Sequence, residues 1–145
     1  MNSNKNIVFL GMMGSGKSSI GSLVSKKLDI PFIDIDNLIE EYTKMSIREI
    51  FKNNGEDYFR NLEEKITLKS LKRKKSVIAL GGGGFINDII RKNILLNHLS
   101  FWLDWNESIL LKRIRNSKKR PLVSKSTDEE IKGIIKKRTK GSWNV

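Results

Sequence analysis

The 145-residue chain is predicted to adopt an α/β fold of three layers, with helices on both faces of a parallel four-stranded sheet, and three observations carry that reading. Short apolar runs alternate with longer stretches of helical periodicity, the pattern of strand–helix–strand units. A glycine-rich stretch, Gly11-Met12-Met13-Gly14-Ser15-Gly16-Lys17-Ser18, separates the first apolar run from the first helical pattern. Polar and glycine residues, Asp34, Asp36 and Gly81 to Gly84, follow later apolar runs, where open parallel sheets bind ligands.

The glycine-rich stretch fits the GxxxxGK[ST] phosphate-binding loop, in the context that its mechanism needs. Its glycines admit backbone conformations that turn successive N–H groups toward a polyphosphate, and the following helix adds its unpaired N–H groups and the positive end of its dipole. Lys17 is placed to reach the outer phosphates and Ser18 to ligate Mg²⁺, with Ser15 and Ser19 completing the set that would hold a nucleoside triphosphate.

Strand one is Ile7 to Leu10, apolar throughout like a strand buried on both faces. Ile20, Leu23, Val24 and Leu28 recur at helical spacing, and Asp29 with Pro31 closes that helix. Residues 31–36 read as strand two, turning polar at its C-terminal end with Asp34 and Asp36. A helix over about 37–43 follows, then a capping box at Ser46 and Glu49 opens a short helix that Asn53-Asn54-Gly55 ends. From Glu56 to about Lys72 a longer helix carries Phe59, Leu62, Ile66 and Leu71 as an apolar stripe. Arg60, Glu63 and Glu64 share a face of it, and spacing alone reads them as a surface ion pair.

Strand three is Ser76 to Leu80, and the four glycines after it suit close approach of backbone to a ligand. Residues 87–96 are predicted helix, 99–103 strand four, and Asn106 caps a helix through about Arg115. The polar, basic stretch 116–126 reads as a lid that closes over phosphates. Thr127 and Glu130 form a second capping box, opening a helix to about Lys140.

Composition narrows the functional classes. The length suits one domain, and 38% hydrophobic with 30% charged residues suits a globular protein. No apolar run approaches a membrane span and no apolar signal segment opens the chain, so a cytoplasmic protein without membrane contact is expected. The absence of cysteine excludes disulfides and thiolate metal sites, and the single His98 is expected on the surface or in a loop. The net charge of +12 raises nucleic acid as a partner, but the lysines are scattered. The densest run, Lys72 to Lys75, ends a predicted helix, where the dipole favours cations in solvent, so no nucleic-acid partner is expected.

Taken together in order, the phosphate loop, Asp34-Ile35-Asp36, Ile50-Phe51, Phe59-Arg60 with Glu63, Gly81-Gly82-Gly83, Arg120-Pro121-Leu122 and Lys137-Arg138 resemble the shikimate kinase family over nearly the whole chain. That resemblance implies an ATP-dependent transfer to the 3-hydroxyl of shikimate, by a monomer using Mg²⁺. Asp36 would hold ring hydroxyls and be the candidate base, and Asp34 would act on Mg²⁺ through water beside Ser18. Arg60 and Arg138 would grip the substrate carboxylate, with backbone at Gly81, Gly82 and Gly83 lining the pocket. Glu63 would orient Arg60, Phe51 and Phe59 would pack the wall, Arg120 would reach from the lid onto the transferring phosphate, and Arg113 would lie against adenine. After Arg138 the family's segment leading to a fifth strand and closing helix is replaced by Thr139-Lys140-Gly141-Ser142-Trp143, from which an open sheet edge and a half-open adenine site are expected. Two other readings share the phosphate loop: a nucleotide-binding module of this family with impaired catalysis, and a gluconate or nucleoside monophosphate kinase of the same fold.

Overall fold

A computed structural model describes residues 4–116 and 125–143, the last five of these as helical backbone. The lid residues 117–124, Arg120 among them, lie outside the described residues. The element order is β1 (Ile7–Gly11), α1 (Lys17–Leu28), β2 (Phe32–Asp34), α2 (Ile35–Thr43), α3 (Ile47–Leu71), β3 (Val77–Ala79), α4 (Asp88–Asn97), β4 (Leu99–Leu103), α5 (Glu107–Arg115) and α6 (Asp128–Trp143), with a 3₁₀ turn over Gly84–Ile86. The strands form one sheet in the order β2-β3-β1-β4, all neighbouring pairs parallel. The α/β parallel-sheet expectation therefore holds.

Alternation along the central strands divides the sheet's two faces. Val8, Leu10, Ile33 and Ile78 pack with Ile35 and Ile39 of α2, Ile50 and Phe59 of α3, and Ile90 and Ile94 of α4 as one buried cluster. On the opposite face α1 lies against Phe32. A second cluster joins Met12, within the phosphate loop, to Leu110 and Ile114 of α5 and Ile131 and Ile135 of α6. β4 is an outer strand, with Ser100 and Phe101 exposed.

Helix α1 corrects the sequence reading. Its buried residues are Lys17, Gly21 and Ser25, whereas Leu23 and Leu28 are 67% and 50% exposed. The cause is distance: a Cβ on Gly21 would stand 2.6 Å from Cε2 of Phe32, so only a small-residue face can approach the sheet there. Strand two also ends earlier than expected. Asp34 caps α2, accepting from the Asn37 N–H at 3.2 Å, and Asp36 lies in the helix's first turn.

The break expected at Gly55 is present as a kink inside α3, where Gly55 takes φ 84° and ψ 173° between two helical stretches. The Ser46–Glu49 capping box is reciprocal, and so is Thr127–Glu130 at the start of α6. Lys72 to Lys75 form an exposed turn after α3, as a solvated helix end requires.

The strand N-termini are tied by Asn6, which is fully buried. Its Nδ2 donates to Leu71 O at 2.9 Å and its Oδ1 accepts from the Ser76 N–H at 3.0 Å, joining the ends of α3, β1 and β3. His98 closes α4 in the bend before β4, the loop position the sequence allowed, where it is half-buried with Nδ1 3.4 Å from the donating Asn6 N–H. Burial and the neighbouring Lys5 push its pKa below the ordinary value.

Candidate active site

A cavity of about 840 Å³ opens beyond the C-terminal ends of the strands. One wall is the phosphate loop with the start of α1, and the opposite wall is α2, α3 and the glycine run after β3. Such a position follows from parallel strands, because every β-to-α connection emerges at the same edge of the sheet.

The phosphate loop begins where β1 ends. Gly16, at φ 89°, is the residue from which α1 starts, a conformation that side-chain-bearing residues strongly disfavour. Gly14, Gly16, Lys17, Ser18 and Ser19 all line the cavity. Gly11 and Ser15 do not. Gly11 abuts the Leu103 carbonyl of β4, and the Ser15 hydroxyl is buried toward Gly11, so Ser15 offers the cavity no side chain. The Lys17 ammonium rests on the carbonyls of Gly11 and Met12, at 2.8 and 2.9 Å, at the foot of the loop.

Ser18 donates its hydroxyl proton to the Asp34 carboxylate, which couples α1 to the end of β2. Two adjacent hard oxygens beside a phosphate loop fit Mg²⁺, which takes one or two protein oxygens and fills its octahedron with water and phosphate. No cluster of three or more carboxylate, histidine or cysteine groups is present among the described residues, so the protein supplies no closed metal cage there.

Across the cavity, Arg60 and Glu63 are bonded at 2.7 Å, and Glu63 is 2% exposed. Glu63 is thus buried while Arg60 stays partly exposed at the cavity, against the surface ion pair that spacing suggested. Glu56 supports the other side of Arg60 at 3.4 Å, and the guanidinium lies 5.2 Å from the centre of the Phe59 ring. Phe59 in turn packs on Phe51 with ring centres 4.8 Å apart, and both rings line the cavity. Glu64, the third member of that sequence cluster, leaves the site and accepts from Asn87 Nδ2 at 2.6 Å.

The glycine run has a use inside the protein besides the expected approach of backbone to ligand. A Cβ on Gly81 would stand 2.5 Å from Glu63 Oε1 and 2.8 Å from Asp36 Oδ1, and one on Gly83 would stand 2.9 Å from both terminal nitrogens of Arg60. The missing side chains therefore make room for the protein's own charged groups. Gly82 and Gly83 line the cavity, while Gly81 sits buried behind it and lets Asp36 and Glu63 converge.

That convergence has an electrostatic consequence. Burial first, then Glu63 and Asp34, push the Asp36 pKa up from 3.8 to about 6, against the opposing pull of Lys17 and Arg60. A carboxyl with such a pKa changes protonation close to neutral pH, as a base matched to its medium must. Arg138, on α6, faces the same group of charges. Desolvation and then Arg60 lower its pKa, while Glu63, Glu56 and Asp36 oppose that. Arg138 thus stands near Arg60, although it is not among the residues that line the cavity.

On the phosphate-loop side, Arg113 of α5 lines the cavity and donates to Gly14 O at 3.1 Å. The structure therefore brings Lys17, Ser18, Asp34, Asp36, Arg60, Arg113 and Arg138 into one region, with Arg120 outside the described residues. Sequence reasoning passed over Glu56 and Trp105. Glu56 is one helical turn before Arg60, a spacing that was available, whereas nothing local marks Trp105 as a neighbour of Ser15.

The family model described as shikimate kinase matches residues 13–142. A shikimate kinase of Thermodesulfovibrio yellowstonii is 40% identical over 135 residues, which cover 92% of this chain and 78% of that protein. The structure of a shikimate kinase from Acinetobacter baumannii in complex with shikimate superposes with a TM-score of 0.86 at 30% identity, covering 92% of this chain and 74% of that one. That of Aquifex aeolicus gives 0.82 at 36% identity, covering 93% and 80%.

Proposed function

The chain belongs to the shikimate kinase family, and from that premise we propose that it transfers the γ-phosphoryl group of ATP to the 3-hydroxyl of shikimate, yielding shikimate 3-phosphate and ADP. The observation that carries this reading is the facing arrangement of one cavity: a phosphate loop on one wall, and Asp36 with the Arg60–Glu63 pair on the other.

Each group has a task that its surroundings explain. The Arg60 guanidinium, held by Glu63 and Glu56, presents its remaining donors to a carboxylate, and Arg138 adds a second cation. Asp36 accepts a hydrogen bond from the acceptor hydroxyl. As the hydroxyl oxygen bonds to phosphorus and the bond to the ADP oxygen breaks, its proton passes to the Asp36 carboxylate. Little further covalent help is needed, because phosphoryl transfer depends mainly on alignment and on cations around the equatorial oxygens. Lys17 supplies one such charge after exchanging its loop carbonyls for phosphate oxygens. Mg²⁺, held by Ser18 and through water by Asp34, would neutralise charge between the outer phosphates. Arg120 is assigned to the transferring phosphate on the family resemblance alone.

The deciding experiment is a coupled ADP-release assay on the purified chain with ATP and Mg²⁺, offering shikimate, gluconate or AMP in turn. Turnover confined to shikimate is the expected result. Nucleotide binding without turnover on any of the three would leave only a binding module.

A further inference from the structure

We propose that Trp105 is a positioning residue of the nucleotide site, which aims the phosphate loop and backs Arg113, so that its loss weakens nucleotide binding and leaves the shikimate side intact. The inference rests on the nucleotide half of the function proposed above. Trp105 lies in the turn between β4 and α5, and its Nε1–H donates to Ser15 O at 2.8 Å, across 90 residues of sequence. The same ring lies under the Arg113 guanidinium, whose central carbon is 4.3 Å from the ring centre. Arg113 in turn donates to Gly14 O. Two consecutive carbonyls of the phosphate loop are thus held from outside by a stacked pair.

Peptide planarity turns that hold into a function. In a trans peptide the N–H points opposite to its C=O, so fixing the Ser15 carbonyl toward Trp105 aims the Gly16 N–H the other way. Gly16 lines the cavity and opens α1, so this N–H belongs to the helix N-terminal donors that bind phosphate. Stacking also limits where Arg113 can place its flat cation at the cavity rim. Simple core packing does not account for the residue, since Trp105 remains 37% exposed.

Two variants separate its contacts. Trp105→Phe keeps a ring under Arg113 and loses the N–H, while Trp105→Leu loses both. Titration calorimetry with Mg²⁺–ADP on the full chain is expected to show the dissociation constant raised about fivefold by Phe, the scale of one backbone-directed hydrogen bond. A rise of about twentyfold is expected for Leu, which also forfeits the cation–π contact. KM for ATP should rise in parallel, with the shikimate dissociation constant and melting temperature unchanged. A Leu variant with wild-type ADP affinity would overturn the inference, as would equal losses for ADP and shikimate. Failure of the wild type to turn over shikimate overturns the proposed function instead. Selective loss of ADP affinity in the variants would then still uphold the role of Trp105.

Discussion

Replacing Gly81 with alanine adds one methyl group at the point where the site's two carboxylates meet. Gly81 does not occupy the left-handed region, so alanine suits its backbone and the effect must come from contact. The new Cβ would stand 2.5 Å from Glu63 Oε1 and 2.8 Å from Asp36 Oδ1, so these must retreat by about 0.9 and 0.6 Å to reach the 3.4 Å at which ordinary contact begins. Neither is free to do so without consequence. Glu63 is buried and bonded to Arg60, and Asp36 is fixed in the first turn of α2. A displacement near 1 Å of aligned groups costs on the order of 100-fold in rate, or about 2.7 kcal/mol of transition-state stabilisation. ADP-release kinetics with shikimate as the varied substrate should therefore show kcat/KM lowered by roughly 30- to 100-fold, with Mg²⁺–ADP affinity unchanged. Activity within about threefold of wild type, in a variant that melts normally, would refute the claim that the glycine exists to let the carboxylates converge.

The Asp36 carboxyl, with its pKa raised to about 6, should impose an acid limb on the kcat/KM profile: activity rises with pH through that value as the group loses its proton. Glu63→Gln removes the neighbouring like charge and should move the limb to lower pH; an unmoved limb would separate the two carboxylates. Asp36→Asn should abolish turnover, keep nucleotide affinity and raise stability at pH 7. The sign follows from linkage, because a carboxyl with a raised native pKa contributes stability below its unfolded value of 3.8 and loses it as pH rises through about 6. The gain should be on the order of 1 to 3 kcal/mol by denaturant titration, and a less stable variant would contradict it. Arg60→Lys should raise the shikimate KM by at least tenfold with a smaller change in ATP KM, because an ammonium cannot hold Glu63 and a substrate carboxylate as a planar fork does. Asn6→Ala strands the buried Ser76 N–H and Leu71 carbonyl, and should cost about 3 kcal/mol, near 10 °C in melting temperature, without altering kcat.

Much of the fold and half of the site are legible locally. The phosphate loop, the four strands and the caps at Ser46, Asn106 and Thr127 depend on residues within a few positions of one another, so spacing alone exposes them. Helix α1 shows the limit of that reasoning. Its periodic leucines predicted the buried face, yet Phe32 of β2 decides it by admitting only Gly21. Arg60 and Glu63 show the same limit for charge, because a spacing that predicts a weak surface pair here joins a buried carboxylate to a guanidinium at the cavity.

By itself the sequence determined that a triphosphate-binding loop stands between the first strand and first helix of a parallel α/β sheet, because that information lies in consecutive residues. Tertiary structure alone decided which groups meet. Gly81 lies 45 residues from Asp36 and 18 from Glu63, and Trp105 lies 90 from Ser15. Only the sheet order β2-β3-β1-β4 brings the ends of these connections to one edge, where missing methyl groups and shared burial set the spacing of the charges.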